Sequence, residues 1–506
     1  MNKRAAQVNM RKSGILLHPT SLPGEFGIGD FGKWAYRFVD FLANSGQSLW
    51  QILPLGPTGY GHSPYQAYSS IAGNPLLISL QSLVDRFWLS PDDLRNLPRF
   101  PDSIIDFDTV IPFKKRLLKK AAAAFFKNGS GPLQKEFLDF CRENESWLDP
   151  YARFAALKEA NADTAWIDWR QKTVSRDQDI LDQQFIQFEF FRQWKELKNY
   201  CRKNGIEIIG DIPIFVAHDS ADVWANPELF DLDKQGRPRT VAGVPPDYFS
   251  ETGQLWGNPL YLWEAMKDSG YSWWIERLRF LLDIVDIIRL DHFRGFEKYW
   301  EIPAGAKTAV EGRWVHGPGD DFFQALQSAL GKLPFIAEDL GYITKEVHEL
   351  RDRWGFPGMR VLQFAFGDDS PENPHKPHNF IQNCVVYTGT HDNDTSYGWF
   401  TAINDAKDRA EREFALHYMG SDGTDAVWDF IRLALASVAD TAIIPMQDIL
   451  GLGSEARMNF PATMGNNWRW RIRTKHLKPE LVGRLYEMNR IYGRIGFPRI
   501  SAGSAE

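Results

Sequence analysis

Three short segments decide the fold of this chain, and each is an apolar run that ends in an acidic residue. They read IIRLDHFRG at 287–295, FIAEDLG at 335–341 and VVYTGTHDND at 385–394. Each run is typical of a buried parallel strand, and Asp291, Glu338 and Asp392 follow where the strand gives way to a loop. In an eight-stranded (β/α) barrel, that position is the rim that carries active sites. The segments therefore predict a barrel with a carboxylate-lined site.

Five further apolar runs with turn signals complete a set of eight predicted strands. The eight are GILLH (14–18), LWQILP (49–54), IEIIGD (206–211), DIIRLD (286–291), FIAED (335–339), RVLQFA (360–365), CVVYTGT (384–390) and AIIPMQD (442–448). Amphipathic stretches such as 31–46 and 187–205 lie between them, and strand alternating with helix is typical of parallel βαβ units. The prediction is a single α/β chain, a (β/α)8 TIM barrel over residues 1–506, without a separate C-terminal β-domain.

Two long connections are expected to form large, mainly helical insertions on the C-terminal rim of the barrel. Residues 55–205 follow the second strand and contain helical patterns of their own, which predicts an inserted helical subdomain. Residues 212–285 follow the third strand and include 243–259, a segment rich in Gly, Pro and aromatic residues that we expect to cover the site and exclude water. Removing both connections leaves about 280 residues, close to the ~250 typical of this barrel.

Composition and charge exclude several classes of partner. The net charge is −7 and no basic stripe is present, which argues against a nucleic-acid partner. No stretch approaches the ~18 apolar residues of a membrane helix, and the basic N-terminus is followed by too short an apolar run for a signal peptide. The three cysteines match no metal pattern. We expect a cytoplasmic monomer or homodimer with no cofactor and no membrane partner.

The first acidic segment offers a candidate nucleophile. Arg289 and Asp291 are two residues apart, so on a strand both side chains point the same way, into the barrel mouth. An Arg beside an Asp lowers the pKa of the carboxyl and keeps it ionised. Two carboxylates that face each other across a sugar cleave glycosidic bonds, and one of them must be ionised. The alternative is an ion pair with a purely structural role.

The second segment offers a candidate proton donor. Glu338 and Asp339 are adjacent, so only one of them faces the barrel axis. Glu338 is the better candidate because its longer side chain suits proton transfer to a bridging oxygen. A partly apolar pocket would raise its pKa and keep it protonated. Asp339 is then interpreted as a cap of the following helix.

The third segment and the end of the third strand add polar groups at the same rim. A metal site at His391 and Asp392 is disfavoured because no second cluster of ligands accompanies them. Hydrogen bonds to sugar hydroxyls fit both side chains better, and Asp392 is placed to oppose Asp291 at the anomeric carbon. Asp211 ends the third strand, and His218 follows in its loop. A solvated loop residue is the alternative interpretation of His218.

Over nearly its whole length the chain resembles the amylomaltase family of 4-α-glucanotransferases, or disproportionating enzymes, in the α-amylase clan. The segments that carry the resemblance are GILLHPTSLPGEFGIGD (14–30), LPLGPTGYGHSPYQ (53–66), IIGDIPIFVAHDSADVW (208–224), GVPPDYFSETGQLWGNPLY (243–261), RLDHFRGF (289–296), IAEDLG (336–341), YTGTHDNDT (387–395) and QDILGLGSEARMN (447–459). The resemblance departs from the family pattern at His62, where an acidic residue is more usual, and at 460–463, where Pro-Gly-Thr is more usual.

The resemblance implies a role for each matched residue. Asp291 resembles the nucleophile, Glu338 the general acid/base, and Asp392 the carboxylate that holds the 2- and 3-hydroxyls of the sugar. Contacts with the substrate are implied for Tyr60, Ser63, Tyr65, Asp211, His218, Tyr248, Phe249, Trp256, Arg289, His391 and Asn459. The substrates implied are α-1,4-glucans, including maltooligosaccharides and amylose, with glucose as an acceptor.

Three functions compete for these residues. A retaining transferase predicts that the carboxyls of Asp291 and Glu338 lie about 5–5.5 Å apart. A hydrolase of the α-amylase type would use the same trio. A non-catalytic glucan-binding barrel is the alternative from another class, and the presence of all three carboxylates argues against it.

Overall fold

The computed structural model of the protein describes residues 11–127, 131–246, 250–463 and 465–495. Within them the strands are β1 (Lys12–Leu16), β2 (Leu49–Gln51), β3 (Glu207–Pro213), β4 (Thr240–Val244), β5 (Gln254–Pro259), β6 (Ile287–Asp291), β7 (Lys298–Pro303), β8 (Arg313–His316), β9 (Phe335–Ala337), β10 (Gly358–Val361), β11 (Cys384–Tyr387) and β12 (Thr441–Pro445). The helices are α1 (Lys33–Asn44), α2 (Leu80–Asp85), α3 (Phe107–Lys127), α4 (Pro132–Glu143), α5 (Glu145–Ala160), α6 (Asp177–Lys203), α7 (Ala221–Ala225), α8 (Trp263–Asp268), α9 (Ser272–Ile284), α10 (Gly319–Leu330), α11 (Lys345–Arg353), α12 (Ser396–Thr401), α13 (Ala406–Met419), α14 (Ala426–Ala436), α15 (Met446–Ile449) and α16 (Pro479–Ile491).

Eight of the strands close into a parallel barrel, which confirms the predicted fold class. The order around the barrel is β1-β12-β11-β10-β9-β6-β3-β2, and every adjacent pair is parallel. Each predicted strand corresponds to one strand of this barrel. All carboxyl ends therefore meet at one rim, which is where the acidic residues were expected.

The strands form because their side chains are covered on both faces. In β11, Val385, Val386 and Tyr387 are each at most 1% exposed, as expected for a strand between a packed barrel interior and a helical shell. The interior also holds one polar pair, because the hydroxyl of Tyr387 donates to Oε1 of Gln51 at 2.9 Å. This hydrogen bond satisfies two buried polar groups at the centre of the barrel.

Several strands end earlier than the apolar pattern predicts. The strand β2 stops at Gln51 rather than Pro54, and β11 stops at Tyr387 rather than Thr390. The run predicted as a strand over 442–448 turns into the helix α15 after Pro445. The apolar run extends past the last ladder hydrogen bond because rim loops are also buried here, so hydrophobicity alone does not mark the end of a strand.

The connection between β2 and β3 is mostly helical and packs through α6. This helix of 27 residues contacts α3, α4 and α5 and then leads into β3. Two of its buried side chains hold the preceding loop: Oε1 of Gln187 accepts from the N–H of Gly73, and Oε1 of Gln193 accepts from the N–H of Ser79, both at 2.7 Å. The helical segment is thereby attached to the rim.

A small antiparallel sheet on the rim was not predicted. Its order is β5-β4-β7-β8, and it joins the segment after β3 to the segment after β6. Trp300 of β7 lies opposite Trp314 of β8. The sheet thus forms one wall above the barrel mouth. In the described part of the chain, no helix is long and apolar enough to cross a membrane.

Gly14 in β1 is expected to be intolerant of a side chain. A Cβ at this position would lie 2.6 Å from the carbonyl oxygen of Leu49 and 2.9 Å from Cδ1 of Ile443. We expect Gly14→Ala to destabilise the protein by about 1–3 kcal/mol through overpacking, measured by urea unfolding. Gly305→Ala is the control, because a Cβ there meets no atom within 4 Å. Equal stability of the two variants would contradict the packing described for the barrel.

Candidate active site

The guanidinium of Arg289 connects the ends of β3 and β6. Its Nη1 atom lies 2.8 Å from Oδ2 of Asp211 and 2.9 Å from Oδ1 of Asp291. Arg289 and Asp211 are register partners on adjacent strands, so the barrel itself brings their charges together. Burial lowers the pKa of Arg289, but the two carboxylates outweigh burial and raise it well above its usual value. Arg289 therefore remains charged and fixes the orientation of Asp291.

Tyr65 and Asp211 extend this network across the rim. The hydroxyl of Tyr65 donates to Oδ2 of Asp211 at 2.8 Å, and its ring stacks on His391 with centroids 5.2 Å apart and planes 16° apart. Burial raises the pKa of Asp211, while the guanidinium of Arg289 opposes this effect. The loop after β2, the end of β3 and the loop after β11 are thus joined by one chain of contacts.

The carboxyl of Glu338 is held by backbone groups. The N–H of His292 donates to Oε2 at 2.7 Å, and the N–H of Leu340 donates to Oε1 at 3.3 Å. Glu338 also pairs through its own backbone, because its N–H donates to the carbonyl of Leu290 at 3.1 Å and its carbonyl accepts from Phe293 at 3.0 Å. The side chain is therefore fixed at the mouth of the barrel beside β6.

Burial is the main reason that the pKa of Glu338 is raised, to about 8. Among the nearby charges, Arg289 lowers this pKa and Asp291 raises it. A carboxyl with this pKa carries its proton at neutral pH and is able to donate it to a leaving group. The site thus contains one carboxyl bound to a guanidinium and another that retains its proton.

His292 adopts a strained backbone conformation between these two carboxyls. Its φ of 52° lies in the left-handed region, which is unfavourable for a residue with a side chain and is concentrated at functional sites. This turn directs its N–H toward Glu338. Its ring meets Trp256 edge-on at 4.8 Å and 84°, and burial lowers the pKa of the imidazole to about 4. No sequence pattern predicted this role of His292.

Asp392 is held by the segment that follows α15. Nδ2 of Asn459 donates to Oδ1 of Asp392 at 2.7 Å, and Nη2 of Arg457 donates to the backbone carbonyl of Asp392 at 2.7 Å. The N–H of Asn459 reaches the carbonyl of His391 at 3.1 Å. The side chain of Asp392 remains 46% exposed, so the hydrogen bond from Asn459 orients it without burying it.

The loop that carries Asp392 is anchored by a buried carboxylate. Asp448 is 1% exposed and accepts hydrogen bonds from the hydroxyl of Thr388 at 2.5 Å and from the hydroxyl and the N–H of Ser396, both at 2.7 Å. These bonds span the loop on both sides of Asp392. The position of Asp392 therefore depends on β12 as well as on β11.

His391 lies in a cluster of rings that the sequence did not identify. Its Nε2 is 3.5 Å from Oδ1 of Asp392, and the ring of Trp468 lies 5.8 Å from its ring and from that of Tyr65. His18 is also buried nearby, and burial together with the charge of His391 lowers its pKa to about 3. The arrangement requires loops from β1, β11 and the C-terminal part of the chain, whose approach no local pattern predicts.

Contacts among the rim residues link Asp291 and Asp211 through Arg289, and Asp211 through Tyr65 to His391 beside Asp392. Burial raises the pKa of the Tyr65 hydroxyl, and the charges of Asp211, Asp291 and Asp392 raise it further, while Arg289 lowers it. The charges of Arg289 and Asp291 also act on the pKa of Glu338. The structure thus brings the predicted trio to one rim, together with most of the predicted contact residues.

Three other predicted contact residues are Tyr60, Ser63 and His218. Tyr60 is 69% exposed, and the hydroxyl of Ser63 accepts from the N–H of Tyr65 at 3.2 Å. The ring of His218 is in hydrogen-bond contact with the carbonyl of Gly236 at 2.8 Å. Two further predicted residues, Tyr248 and Phe249, lie outside the described residues.

The interpretation of Asp339 as a helix cap was wrong. The helix α11 is preceded by Thr344 as its N-cap, whereas the carboxylate of Asp339 accepts from the N–H of Met359 at 2.7 Å and pairs with Arg351. The ladder between β9 and β10 has a single register pair, Ala337 with Gly358. The side chain of Asp339, just beyond β9, therefore adds a hydrogen bond to β10 where the backbone ladder is short.

No group of three or more His, Cys, Asp or Glu side chains suited to hold a metal ion is found within the portion of the chain described above. The groups at the rim instead form hydrogen bonds and ion pairs with one another. Their donors and acceptors are of the kind that bind sugar hydroxyls.

A parallel barrel with two carboxyls in contrasting environments at its carboxyl-end rim defines an enzyme of the class that acts on glycosidic bonds. The model of the glycoside hydrolase 77 family, described as 4-alpha-glucanotransferase, matches residues 17–477. The chain belongs to this family. It is a 4-α-glucanotransferase that acts on α-1,4-glucans, as the resemblance of its motifs implied.

The chain is similar to 4-alpha-glucanotransferases of other organisms over 94–96% of its length. A 4-alpha-glucanotransferase of Synechocystis sp. is 50% identical over 503 residues, covering 96% of this chain and 99% of the relative. One of Thermus thermophilus is 48% identical over 499 residues, covering 94% and 98%. The structure of the amylomaltase of Streptococcus agalactiae in complex with acarbose has a TM-score of 0.91 and 40% identity, covering 96% of this chain and 100% of that one.

The raised pKa of Glu338 predicts a pH-dependent cost in stability. The folded protein binds this proton more tightly than the unfolded chain, so stability is expected to fall as the pH rises from 4.5 to about 8. We expect Glu338→Gln to remove this loss and to raise the melting temperature at pH 8 by roughly 2–4 °C, with little effect at pH 4.5. Differential scanning calorimetry across this range measures the effect.

Glu480→Gln at the exposed start of α16 is the control for this experiment. An equal gain in that variant, or a gain for Glu338→Gln that is the same at every pH, would contradict the assigned environment of Glu338.

Proposed function

We propose that the chain transfers a segment of an α-1,4-glucan to the 4-hydroxyl of another glucan or of glucose by a retaining double displacement. Asp291 attacks the anomeric carbon while Glu338 gives its proton to the departing oxygen. The C–O bond to the leaving glucan breaks as a covalent bond to Asp291 forms. An acceptor 4-hydroxyl, deprotonated by Glu338, then attacks the same carbon and releases Asp291.

The contrast between the two carboxyl environments is the observation that carries this proposal. Asp291 lies 2.9 Å from the guanidinium of Arg289, which orients its carboxylate for attack on the anomeric carbon. Glu338 has a pKa raised to about 8, which suits a group that gives up a proton and later takes one back. The separation of about 5–5.5 Å between the two carboxyls that retention requires stays a prediction.

Asp392 is proposed to hold the sugar at the cleavage position. Its Oδ1 is occupied by Asn459 at 2.7 Å, which orients the carboxylate and directs the other oxygen toward sugar hydroxyls. Its negative charge would stabilise the positive charge that develops at the anomeric carbon. The hydroxyl of Tyr65 contacts Asp211, and the ring of His391 lies beside Asp392. Both side chains would therefore add contacts to the same sugar.

Transfer in place of hydrolysis requires that an acceptor sugar be held while water is excluded. Trp256 is suited to this task, since its indole lies against His292 and its N–H donates to Oε1 of Gln254 at 3.1 Å. The complex of the Streptococcus agalactiae amylomaltase with acarbose supports sugar binding at a barrel of this type. Glucose as an acceptor, a monomeric or homodimeric state and a cytoplasmic location remain predictions from the sequence.

Glu338→Gln is expected to lower the rate of transfer from maltotriose by about 10²–10⁴-fold, because the leaving oxygen loses its proton donor. With α-maltotriosyl fluoride, whose leaving group needs no proton, formation of the covalent intermediate should be largely retained. The wild-type enzyme should convert maltotriose into glucose and a ladder of longer glucans. These products and the release of fluoride are measured by chromatography and with a fluoride electrode.

Asp291→Asn should lose activity with both substrates, since no nucleophile remains. Glu349→Gln on the exposed surface of α11 is the matched control and should leave both rates unchanged. A first-turnover burst of fluoride release that falls in Glu338→Gln as much as transfer from maltotriose does would rule out Glu338 as the acid. Products that are only shorter than maltotriose would identify a hydrolase instead.

Trp256→Ala is expected to raise the ratio of hydrolysis to transfer by roughly 3- to 10-fold, because water gains access beside His292. Free glucose and new reducing ends, measured together during maltotriose turnover, give this ratio. Trp34→Ala on the outer face of α1, where the indole packs on Arg37, is the control. A ratio that stays constant in Trp256→Ala would show that this indole does not protect the intermediate from water.

A further inference from the structure

An aromatic pair lies on the rim next to the catalytic acid. Trp314 belongs to β8, and Tyr342 belongs to the loop that follows β9. Their ring centroids are 6.4 Å apart with planes 24° apart. Tyr342 is 65% exposed, so much of its ring is accessible to a ligand. We call Trp314 and Tyr342 the rim pair.

The rim pair is contacted by a buried arginine, Arg294. Nη1 of Arg294 donates to the carbonyl of Tyr342 at 2.8 Å, and its guanidinium carbon lies 3.9 Å from the ring centroid of Trp314 and 5.4 Å from that of Tyr342. Arg294 is itself 5% exposed. Trp300 packs edge-on against Trp314 at 5.1 Å and 70°. Rings that are fixed before binding lose little conformational entropy when a ligand stacks on them.

The rim pair lies on the side of the active site that β6 and β9 form. Arg294 lies three residues after Asp291, and Tyr342 lies four residues after Glu338. The strands β6 and β9, which lead to these residues, are neighbours in the barrel, whereas β10 separates β9 from the strand β11 that leads to Asp392. The rim pair is therefore on the side of the acid and away from Asp392.

The leaving and acceptor sugars bind on the side of the cleaved bond where Glu338 lies. Glu338, in the proposed mechanism on which this step rests, exchanges its proton with the oxygen that joins the cleaved sugar to its neighbour. A glucan that enters as acceptor must present its 4-hydroxyl there and extend outward over the rim. The apolar faces of its glucose units are suited to flat aromatic rings, and an uncharged glucan needs no charged receptor.

We propose that Trp314 and Tyr342 form a binding site for the outer glucose units of long α-1,4-glucan acceptors. The rim pair contributes to binding only when the acceptor is long enough to reach from Glu338 to Tyr342. Glucose and the shortest maltooligosaccharides bind without it. The site thereby sets a preference for acceptor length and takes no part in bond cleavage.

The test is the effect of Tyr342→Ala on acceptors of increasing length. The donor is α-maltosyl fluoride at a fixed concentration, and the acceptors are reducing-end-labelled glucans of one to seven glucose units, whose elongation is followed by chromatography. We expect the KM for the longest acceptors to rise by about 3- to 10-fold, with kcat unchanged and with no change in KM for labelled glucose. Tyr342→Trp should restore the wild-type values. Tyr486→Ala, which removes a 44% exposed tyrosine from the outer helix α16, should behave as the wild type.

Each other outcome overturns the inference in a distinguishable way. Unchanged KM values at every length in Tyr342→Ala, with transfer from maltotriose still lost in Glu338→Gln, would remove the rim pair from acceptor binding and leave the proposed mechanism standing. A loss that is equal for glucose and for long acceptors would place Tyr342 in support of Glu338 rather than in sugar binding. Retained transfer in Glu338→Gln would overturn the mechanism and the assignment of the acceptor side together.

Discussion

The ion pairs of Arg289 with Asp211 and Asp291 are the interaction on which the rest of the site depends. Without the guanidinium, two carboxylates on adjacent strands would face each other as like charges in a region shielded from water. With it, Asp211 is free to accept the hydroxyl of Tyr65 at 2.8 Å. The stack of Tyr65 on His391 then fixes the far side of the cleft. The guanidinium of Arg289, which belongs to β6, thus orients side chains on both sides of the site.

Glu338 is oriented by the backbone, and its raised pKa has a different source, which is burial. Its carboxyl is oriented by the N–H groups of His292 and Leu340, and its raised pKa follows mainly from burial. The left-handed conformation of His292 is the local cost of this arrangement, since it turns an N–H toward the carboxyl. Two acidic residues on adjacent strands therefore differ in environment, because Asp291 pairs with a guanidinium whereas Glu338 is buried and held by peptide groups.

The sequence was sufficient to predict the barrel and the rim on which the acidic residues lie, because parallel strands place their carboxyl ends together whatever their loops do. The spacing of Arg289 and Asp291 similarly predicted a shared direction, and the structure shows their ion pair. The rim sheet was missed because β4 and β7 come from connections far apart in the chain and carry no hairpin signal between them. The backbone of His292 and the positions of Arg457 and Trp468 depend on how distant loops pack, which no local pattern encodes.

The bond between Asp339 and the N–H of Met359 has a consequence for how this protein can evolve. A side chain closes the barrel where the backbone ladder between β9 and β10 has only one register pair. That side chain is adjacent in sequence to Glu338, so a substitution at Asp339 would loosen the wall of the barrel and the peptide that carries the acid at once. Substitution of Asp339 is therefore constrained both by the closure of the barrel and by the position of Glu338. Sequence variation is more easily accommodated in the loops beyond this residue.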